Sequence, residues 1–519
     1  MKSKNLMLGL FTSALLFTGC ANNNNVEDKT QNEQVVPSNE ASVEEDSTEA
    51  GRDTLKVAMS IELDSLDPFL TTAGDTKTYM DQVFDGLLDV DENGSLVEDL
   101  AESYEISEDG LTYDFKLKEG VKFHDGSDFT ADDVYYTIDK LAGITSGEAL
   151  SSNFEGVADL EVVSPTEIKI TLKEKNNSFI YLLNQPIVKK GYEDNAKKPI
   201  GTGPYKFVSY TPGEALVLKR FDDYHNQDHL AKIENVEIIR VPDAQSLVLA
   251  LNNKDIDLAS GLTYEQIDQL EGVDIYSKPQ NLVQVFGLNN DVEPFNDIRV
   301  RQALAHAINK EEIIETAAGG KAAALYTTFS PALKDYYNDQ EDPYPYDLEK
   351  AKELLKEAGY PDGFAASLTV PSDYRYHLET AELIQAQLSQ IGVEITLDPV
   401  EFSTWLDKVY QNRDFETTVG GFIGYTDPIR ILDRYRSDNT KNFINYKSED
   451  YDKAIAAAKS ASSQEEIVEN VKNAQDIIAK DAGSVYLTDP DLIYGLNEEL
   501  TGLKTYPVQK LNLEDIDVK

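Results

Sequence analysis

The side chains best able to hold a metal ion in this sequence are two histidines and a short acidic run. His225 and His229 are four residues apart, a spacing that could place both rings on one helical face and bind a metal. The residues around them are polar, however, and favour a solvated pair in a loop. The segment 89–94 begins like a calcium loop, but its twelfth position is Leu100 instead of a bidentate glutamate. We therefore predict a plain turn with Gly94 at positive φ.

Short motifs of common catalytic sites are missing from the sequence. There is no G-x-S-x-G nucleophile turn, no H-E-x-x-H zinc motif and no glycine loop for phosphate. The chain has 94 Asp and Glu residues, so acidic pairs are frequent and none stands out as a general acid and base. We expect neither catalysis nor a cofactor.

The one cysteine, Cys20, directly follows a short export signal. Two lysines precede an apolar run over 6–17, which is too short for a stable membrane span. The segment 16–20, Leu-Phe-Thr-Gly-Cys, resembles the bacterial lipobox, with Phe17 where leucine is usual. The resemblance implies a signal peptide over 1–19 and lipidation of Cys20 at the outer face of the cytoplasmic membrane. The alternative is an ordinary secretory signal that leaves a free thiol.

Length and charge limit the class of protein. A chain of 519 residues is too long for one hydrophobic core and suits two large lobes or three smaller domains. The net charge of −47 argues against nucleic acid or broad contact with anionic lipid, because both repel an acidic surface. A solvated surface explains this charge, and a salty or alkaline habitat is an alternative.

Periodicity predicts a mixed α/β protein behind a polar tether. Residues 20–52 are rich in Asn, Glu, Gln, Ser and Thr and cannot bury enough apolar surface to fold. Beyond them the pattern alternates between strand and helix. We predict strands at Leu55–Met59, Tyr113–Leu117, Ile168–Leu172, Tyr205–Tyr210, Ala215–Arg220 and Val236–Val241. We predict helices at Tyr79–Leu88, Asp297–Thr316, Leu348–Ala358, Glu379–Ile391 and Glu465–Lys480.

Several sequence blocks, in their order and spacing, resemble a known family, the extracellular solute-binding proteins of family 5. The blocks are Leu100–Tyr104, Asp109–Tyr113, Gly120–Gly126, Pro199–Tyr205, Val300–Ile308, Ala351–Leu355, Ala358–Tyr360 and Glu382–Leu388. This family contains the oligopeptide-, dipeptide- and nickel-binding proteins of ABC importers.

The resemblance implies a type II, two-lobed clamshell with mixed sheets that closes on its ligand. Lobe one would comprise 53–280 and 487–519, with an extra subdomain at about 90–195. Lobe two would comprise 281–486. The crossing strands would be Val283–Leu288 and Val485–Tyr494.

Ligand contacts should come from loops at the facing edges of the two lobes. The candidate contacts are Thr71, Thr72, Tyr374, Arg375, Phe422, Tyr425 and Asp427. Arg375 opens a helix after a strand and could receive a carboxylate. For each of these residues, local packing or turn formation is an equally plausible role.

The sequence departs from the family at one ligand position. Many peptide-binding members place an aspartate three residues before an Asp-Pro pair, where it holds the peptide's amino group. That position is Gly424 here, and the usual upstream aromatic is replaced by Phe422 or Ile423. Either Asp427 or another acid substitutes, or the ligand is held along its backbone, or it is not a peptide.

Three functional hypotheses follow. The first is a monomeric, lipid-anchored receptor that delivers a peptide or similar small solute to the permease subunits of an ABC importer. The second keeps the receptor but makes the cargo a nickel or other metal chelate. The third is a surface enzyme or an adhesin, which the missing nucleophile motif and the absence of repeats disfavour.

Overall fold

A computed structural model describes residues 52–519 with the exception of Thr72. Its strands are β1 (Thr54–Met59), β2 (Leu88–Val90), β3 (Leu96–Glu98), β4 (Ala101–Ile106), β5 (Thr112–Leu117), β6 (Val157–Ser164), β7 (Glu167–Leu172), β8 (Tyr205–Thr211), β9 (Ala215–Arg220), β10 (Asn235–Arg240), β11 (Leu258–Ser260), β12 (Val273–Pro279), β13 (Leu282–Leu288), β14 (Ala322–Ala324), β15 (Phe364–Pro371), β16 (Val393–Val400), β17 (Thr417–Ile423), β18 (Val485–Tyr486), β19 (Thr488–Asn497), β20 (Leu500–Thr501) and β21 (Asp517–Val518).

Helices separate these strands along most of the described chain. They are α1 (Gly74–Met80), α2 (Ala131–Ala142), α3 (Ala244–Asn252), α4 (Tyr264–Ile267), α5 (Ile298–Ala307), α6 (Lys310–Ala317), α7 (Leu348–Glu357), α8 (Arg375–Ser389), α9 (Phe402–Trp405), α10 (Pro428–Asp433), α11 (Glu449–Ser460) and α12 (Gln464–Lys480). No helix within the described range is long and apolar enough to cross a membrane.

Two large mixed sheets form the scaffold. We keep the predicted boundaries as names: lobe one is residues 53–280 with 487–519, and lobe two is residues 281–486. The main sheet of lobe one has the order β12-β19-β11-β1-β10-β9-β8, and β1 is parallel to both of its neighbours. The sheet of lobe two has the order β16-β15-β17-β13-β18, and it also combines parallel and antiparallel pairs. The predicted α/β class with mixed sheets is confirmed.

Alternation and capping explain most of these elements. In β5 the side chains of Tyr113, Phe115 and Leu117 are buried while those between them face outward. α7 begins at an N-cap, Asp347, whose carboxylate accepts hydrogen bonds from two backbone N–H groups of the first turn. The four-stranded sheet β4-β5-β7-β6 builds the core of the extra subdomain region.

The predicted helix over 79–88 is largely wrong. α1 ends at Met80, and Leu88 already begins a strand. Val83 and Phe84 pack into the core of the main sheet, whereas Leu87 packs into the core of the subdomain. The apolar spacing that indicates a helix therefore comes from a segment that links two cores.

The predicted helix over 297–316 is two helices, α5 and α6. Ile308 between them has extended backbone angles, and the side chain of Asn309 accepts a hydrogen bond from the N–H of Glu312. Asparagine is a strong N-cap, so it restarts the helix in a new direction.

The two lobes have separate hydrophobic cores. Each core cluster within the described residues draws on one lobe, with Leu487 at the crossing as the exception. The chain crosses between the lobes from β12 to β13 and from β18 to β19. Polar contacts link the lobes elsewhere, such as the hydroxyls of Tyr181 and Tyr336 at 2.6 Å. Separate cores allow hinge motion, because the lobes can move without disrupting either core.

Candidate ligand-binding site

The lobe-two segment after β17 combines aromatic and cationic side chains. The guanidinium carbon of Arg430 lies 3.8 Å from the ring centre of Tyr425, and that of Arg434 lies 4.3 Å from the ring centre of Phe422. Phe422 also packs against Phe443, with the ring centres 5.1 Å apart. The rings thus support two guanidinium groups through cation–π contacts.

Asp427, the acid of the Asp-Pro pair, serves as the N-cap of α10. Its side chain accepts hydrogen bonds from the N–H groups of Ile429 at 3.0 Å and Arg430 at 3.2 Å. Burial raises the pKa of Asp427, and hydrogen bonding with Ser178 of lobe one and with these N–H groups opposes the rise. With its side chain buried and committed to the helix, Asp427 has a structural role in this conformation.

Gly424 is closely covered by Asn281, which lies between β12 and β13. The N–H of Gly424 donates to the carbonyl of Asn281 at 2.6 Å. A Cβ placed at Gly424 would lie 2.2 Å from the Oδ1 atom of Asn281. The position therefore has no room for the aspartate that many family members have there.

Tyr374 and Arg375 stand at the start of α8, but they differ in their surroundings. Tyr374 is exposed, and its ring lies edge-on to Phe402. Arg375 pairs with Glu379 on its own helix at 2.6 Å and with Glu265 of lobe one at 3.0 Å. Its guanidinium therefore links the lobes at an exposed edge, and two carboxylates already balance its charge.

Of the two lobe-one candidates, the structure describes only Thr71. Its hydroxyl donates to the carbonyls of Ser65 at 3.0 Å and Asp67 at 2.9 Å, which closes its own loop. Thr72 and Cys20 lie outside the described residues. None of the seven candidates is tested by these contacts, and they stay predictions.

A buried carboxylate at the hinge holds the two crossings together. Asp489 on β19 accepts hydrogen bonds from the N–H groups of Asn281 at 3.1 Å and Leu282 at 3.0 Å. It also accepts one from the hydroxyl of Ser330. Burial raises the pKa of Asp489 to about 7 in spite of these donors. The group thus stabilises the start of β13, where lobe two begins.

The expectation of a solvated His225–His229 pair is wrong for His225. Its side chain is 3% exposed, and its Nε2 lies 3.2 Å from Asp85 and 3.4 Å from Asp99. Burial acts to lower the pKa of His225, but the two carboxylates outweigh it and raise the pKa to about 9. His229 is half-exposed and contacts Asp515 instead. Each histidine therefore has carboxylate partners of its own.

The residues best placed to hold a metal are Asp85, Asp99 and His225, whose ligand atoms all lie within 4.8 Å of one another. They lie beside a cavity of about 580 Å³ whose lining comes from lobe one alone. Because no lobe-two residue lines this cavity, lobe closure would not enclose a ligand there. The turn at 91–94 joins β2 to β3, and Gly94 has a φ of +85° as predicted.

Sequence reasoning missed Arg430, Arg434 and Asn281. The two arginines are four residues apart directly after the Asp-Pro pair, a spacing that places them on one helical face. That spacing was available in the sequence. Asn281 had no local signal, since its contact with Gly424 joins segments that are distant in the chain.

Two lobes with separate cores, mixed sheets and two crossings define the class of type II periplasmic binding proteins. Residues 95–443 match the family described as bacterial extracellular solute-binding proteins, family 5. The chain belongs to this family, as the sequence blocks indicate.

Curated and solved relatives match most of the chain. It is 28% identical to the glutathione-binding protein GsiB of Salmonella paratyphi A, over 89% of this chain and 94% of the relative. CtaP of Listeria monocytogenes, an ABC transporter substrate-binding protein, is 27% identical with a TM-score of 0.81, over 90% and 99% of the two chains. DppA of Helicobacter pylori, an ABC transporter-associated periplasmic binding protein in complex with the peptide STSA, is 28% identical with a TM-score of 0.72, over 90% and 98%.

Proposed function

We propose that this protein is the substrate-binding lipoprotein of an ABC importer and that it captures a peptide or similar small solute between its lobes. Closure of the lobes would hold the solute, and the closed form would dock on the permease. Capture and delivery require no covalent chemistry. The family is one of solute-binding proteins, which supports binding in place of catalysis.

The observation that carries the proposal is the pair of separate cores joined by two chain crossings. Besides the crossings, the lobes are linked by the pairing of β14 with β19 and by polar side-chain contacts, including Arg375 with Glu265 and Lys175 with the carbonyl of Ala461. Exposed ion pairs and single hydrogen bonds each contribute about 1 kcal/mol or less. A ligand that contacts both lobes could therefore shift their arrangement with a modest binding energy.

Peptides are the favoured cargo. The peptide STSA in the DppA relative and glutathione, the tripeptide in the name of GsiB, both contain amide and carboxylate groups. The lobe-two segment offers aromatic area and guanidinium groups, which suit a short peptide with a carboxylate.

We also propose that a lipid anchor holds this receptor at the membrane. Lipidated Cys20 and the polar residues 20–52 would hold the receptor at the outer face of the cytoplasmic membrane. A polar tether of this length would allow a folded body to reorient toward its permease. The lipobox-like segment 16–20 supports this part of the proposal.

Native mass spectrometry of the protein purified from its host, with thermal-shift titration of defined peptide pools, tests the proposed cargo. We expect a co-purified peptide mass and a rise in melting temperature with at least one pool. Absence of both, together with stabilisation by another solute class, would overturn the peptide proposal. Elemental analysis of the same sample distinguishes a metal chelate from a peptide, because only a chelate would bring nickel or another metal in stoichiometric amount.

A further inference from the structure

We propose that Arg430 and Arg434 form a carboxylate seat on lobe two, so that the captured solute carries a carboxylate that binds there. This inference rests on the proposed function, because it names the ligand chemistry of the same cleft. The seat comprises the two guanidinium groups, the rings of Tyr425 and Phe422 that they contact, and Gly424, which lies between these two residues in the sequence.

The first observation is that these two cations have no counter-ion among the described residues. Among the arginines that the structure describes, Arg430 and Arg434 are the two with no hydrogen bond from the guanidinium and no ion pair to a described residue. The other arginines contact carboxylates or backbone carbonyls through the guanidinium. In a chain of net charge −47, two neighbouring cations without a carboxylate partner are unexpected.

The second observation is that an aromatic ring supports each guanidinium group. Arg430 lies over Tyr425 at 3.8 Å, and Arg434 lies over Phe422 at 4.3 Å. Both arginines are half-buried. A ring contact uses no N–H donor of the guanidinium, so these donors remain available to a carboxylate, which can accept two of them in parallel.

The third observation is the charge of the immediate surroundings. Gly424 carries no side chain, and Asp427 is 4% exposed and caps α10. Asp427 attracts Arg430 at longer range but makes no ion pair with it. Two partly desolvated cations, beside a depression whose lining residues include no acid, favour an anionic ligand group over an ammonium.

The fourth observation is the place of the seat in the fold. Arg434 lines a shallow depression of lobe two together with Phe422, Gly424 and Tyr425. The segment also lies against lobe one, since Asp427 interacts with Ser178. A carboxylate bound to these arginines would therefore lie on a lobe-two segment that contacts lobe one.

Three tetrapeptide pools of mixed sequence test the proposal by thermal-shift titration of the full chain. The first pool has free C-terminal carboxylates, the second is C-terminally amidated, and the third is amidated but contains one glutamate. We expect the first pool to stabilise the wild type at a concentration about ten-fold or more below that of the second. Stabilisation by the third pool at low concentration would locate the bound carboxylate on a side chain instead of the C-terminus.

Variants connect this preference to the two arginines. In R430Q/R434Q the half-maximal concentration of the carboxylate-bearing pool should rise about ten-fold or more. In R434K, which keeps the positive charge, the rise should be smaller. R436Q is the matched control, because Arg436 lies two residues further on but pairs with Asp433 and Asp438. We expect R436Q to bind the pools like the wild type.

Two outcomes would overturn the inference. One leaves the proposed capture of a peptide intact, and the other contradicts it. If amidated pools without glutamate bind the wild type as tightly as free acids, the carboxylate seat is wrong while peptide capture stands. If no pool stabilises a protein that is folded by circular dichroism, both the seat and the peptide cargo are wrong. The comparison of pools on the wild type stays decisive even if a variant fails to fold.

Discussion

The side chain of Asn281 occupies the space in which a side chain at Gly424 would stand. A Cβ at Gly424 would come within 2.2 Å of Asn281 Oδ1 and 2.5 Å of Asn281 Cγ. Asn281 is fully buried, has a φ of +61°, and donates its own N–H to Asp489 at the hinge. The loss of the family's aspartate is thus tied to the residue that begins lobe two.

Replacement of Gly424 by alanine should destabilise the protein through this clash. We expect G424A to lower the free energy of unfolding by about 1–3 kcal/mol, which is typical of an overpacked core site. Urea denaturation followed by circular dichroism measures the change. In N281G/G424A most of the loss should return, because glycine tolerates the positive φ of position 281 and removes the clashing atoms. Equal destabilisation in the single and double variants would show that the contact does not limit position 424.

His225 should make stability fall at alkaline pH. Its pKa of about 9 in the folded protein exceeds the usual value, so the stabilisation is complete below about pH 6.5 and is lost as the pH rises through about 9. We expect H225Q to lower the free energy of unfolding by about 3 kcal/mol near pH 6 and by much less near pH 10.

H229Q serves as the control for this pH series, since His229 is half-exposed and its ring contacts the carboxylate of Asp515. Urea denaturation at several pH values gives the comparison for both variants. A loss in H225Q that stays constant from about pH 6 to about pH 10 would contradict an ionised His225 between Asp85 and Asp99.

Arg375 should contribute little to binding, although its sequence position suggests a carboxylate contact. Its partners Glu265 and Glu379 already balance its charge, and 70% of its side chain is exposed. We expect R375Q to change the free energy of unfolding by less than about 0.5 kcal/mol. The half-maximal concentration of the free-acid peptide pool should change by less than about two-fold. A ten-fold loss of binding without a change in melting temperature would restore Arg375 as a ligand contact.

Lipidation of Cys20 is a prediction from the sequence alone. In cells that receive labelled palmitate, the wild type should carry the label and sediment with membranes. C20S should lose the label and leave the membrane fraction. Unchanged detergent partitioning of C20S would contradict the anchor and favour an ordinary secretory signal.

Elements with a local signal were predictable from the sequence. The strand at Ala215–Arg220 has the predicted bounds, because alternation and flanking turns both depend on neighbouring residues. The start of α12 at Gln464 differs from the prediction by one residue, since its N-cap, Ser463, directly precedes it. The resemblance to family 5 then supplied the two-lobed architecture, which periodicity alone does not specify.

Features that depend on contacts between distant segments were not predictable. The segment 79–88 has helical spacing but packs into two cores, and His225 lies in a polar sequence yet is buried between Asp85 and Asp99. The pairing of Arg375 with Glu265 likewise joins residues of different lobes. In each case a partner more than a hundred residues away, or a second core, decides the environment.

Small-angle X-ray scattering with and without a saturating peptide tests lobe closure most directly. Calorimetry on the same sample, with a single peptide from the pool that stabilises the protein, establishes saturation. We predict that the radius of gyration falls when the peptide binds, because contacts from both lobes stabilise the closed arrangement. A saturated complex whose radius of gyration equals that of the free protein would contradict capture between two hinged lobes.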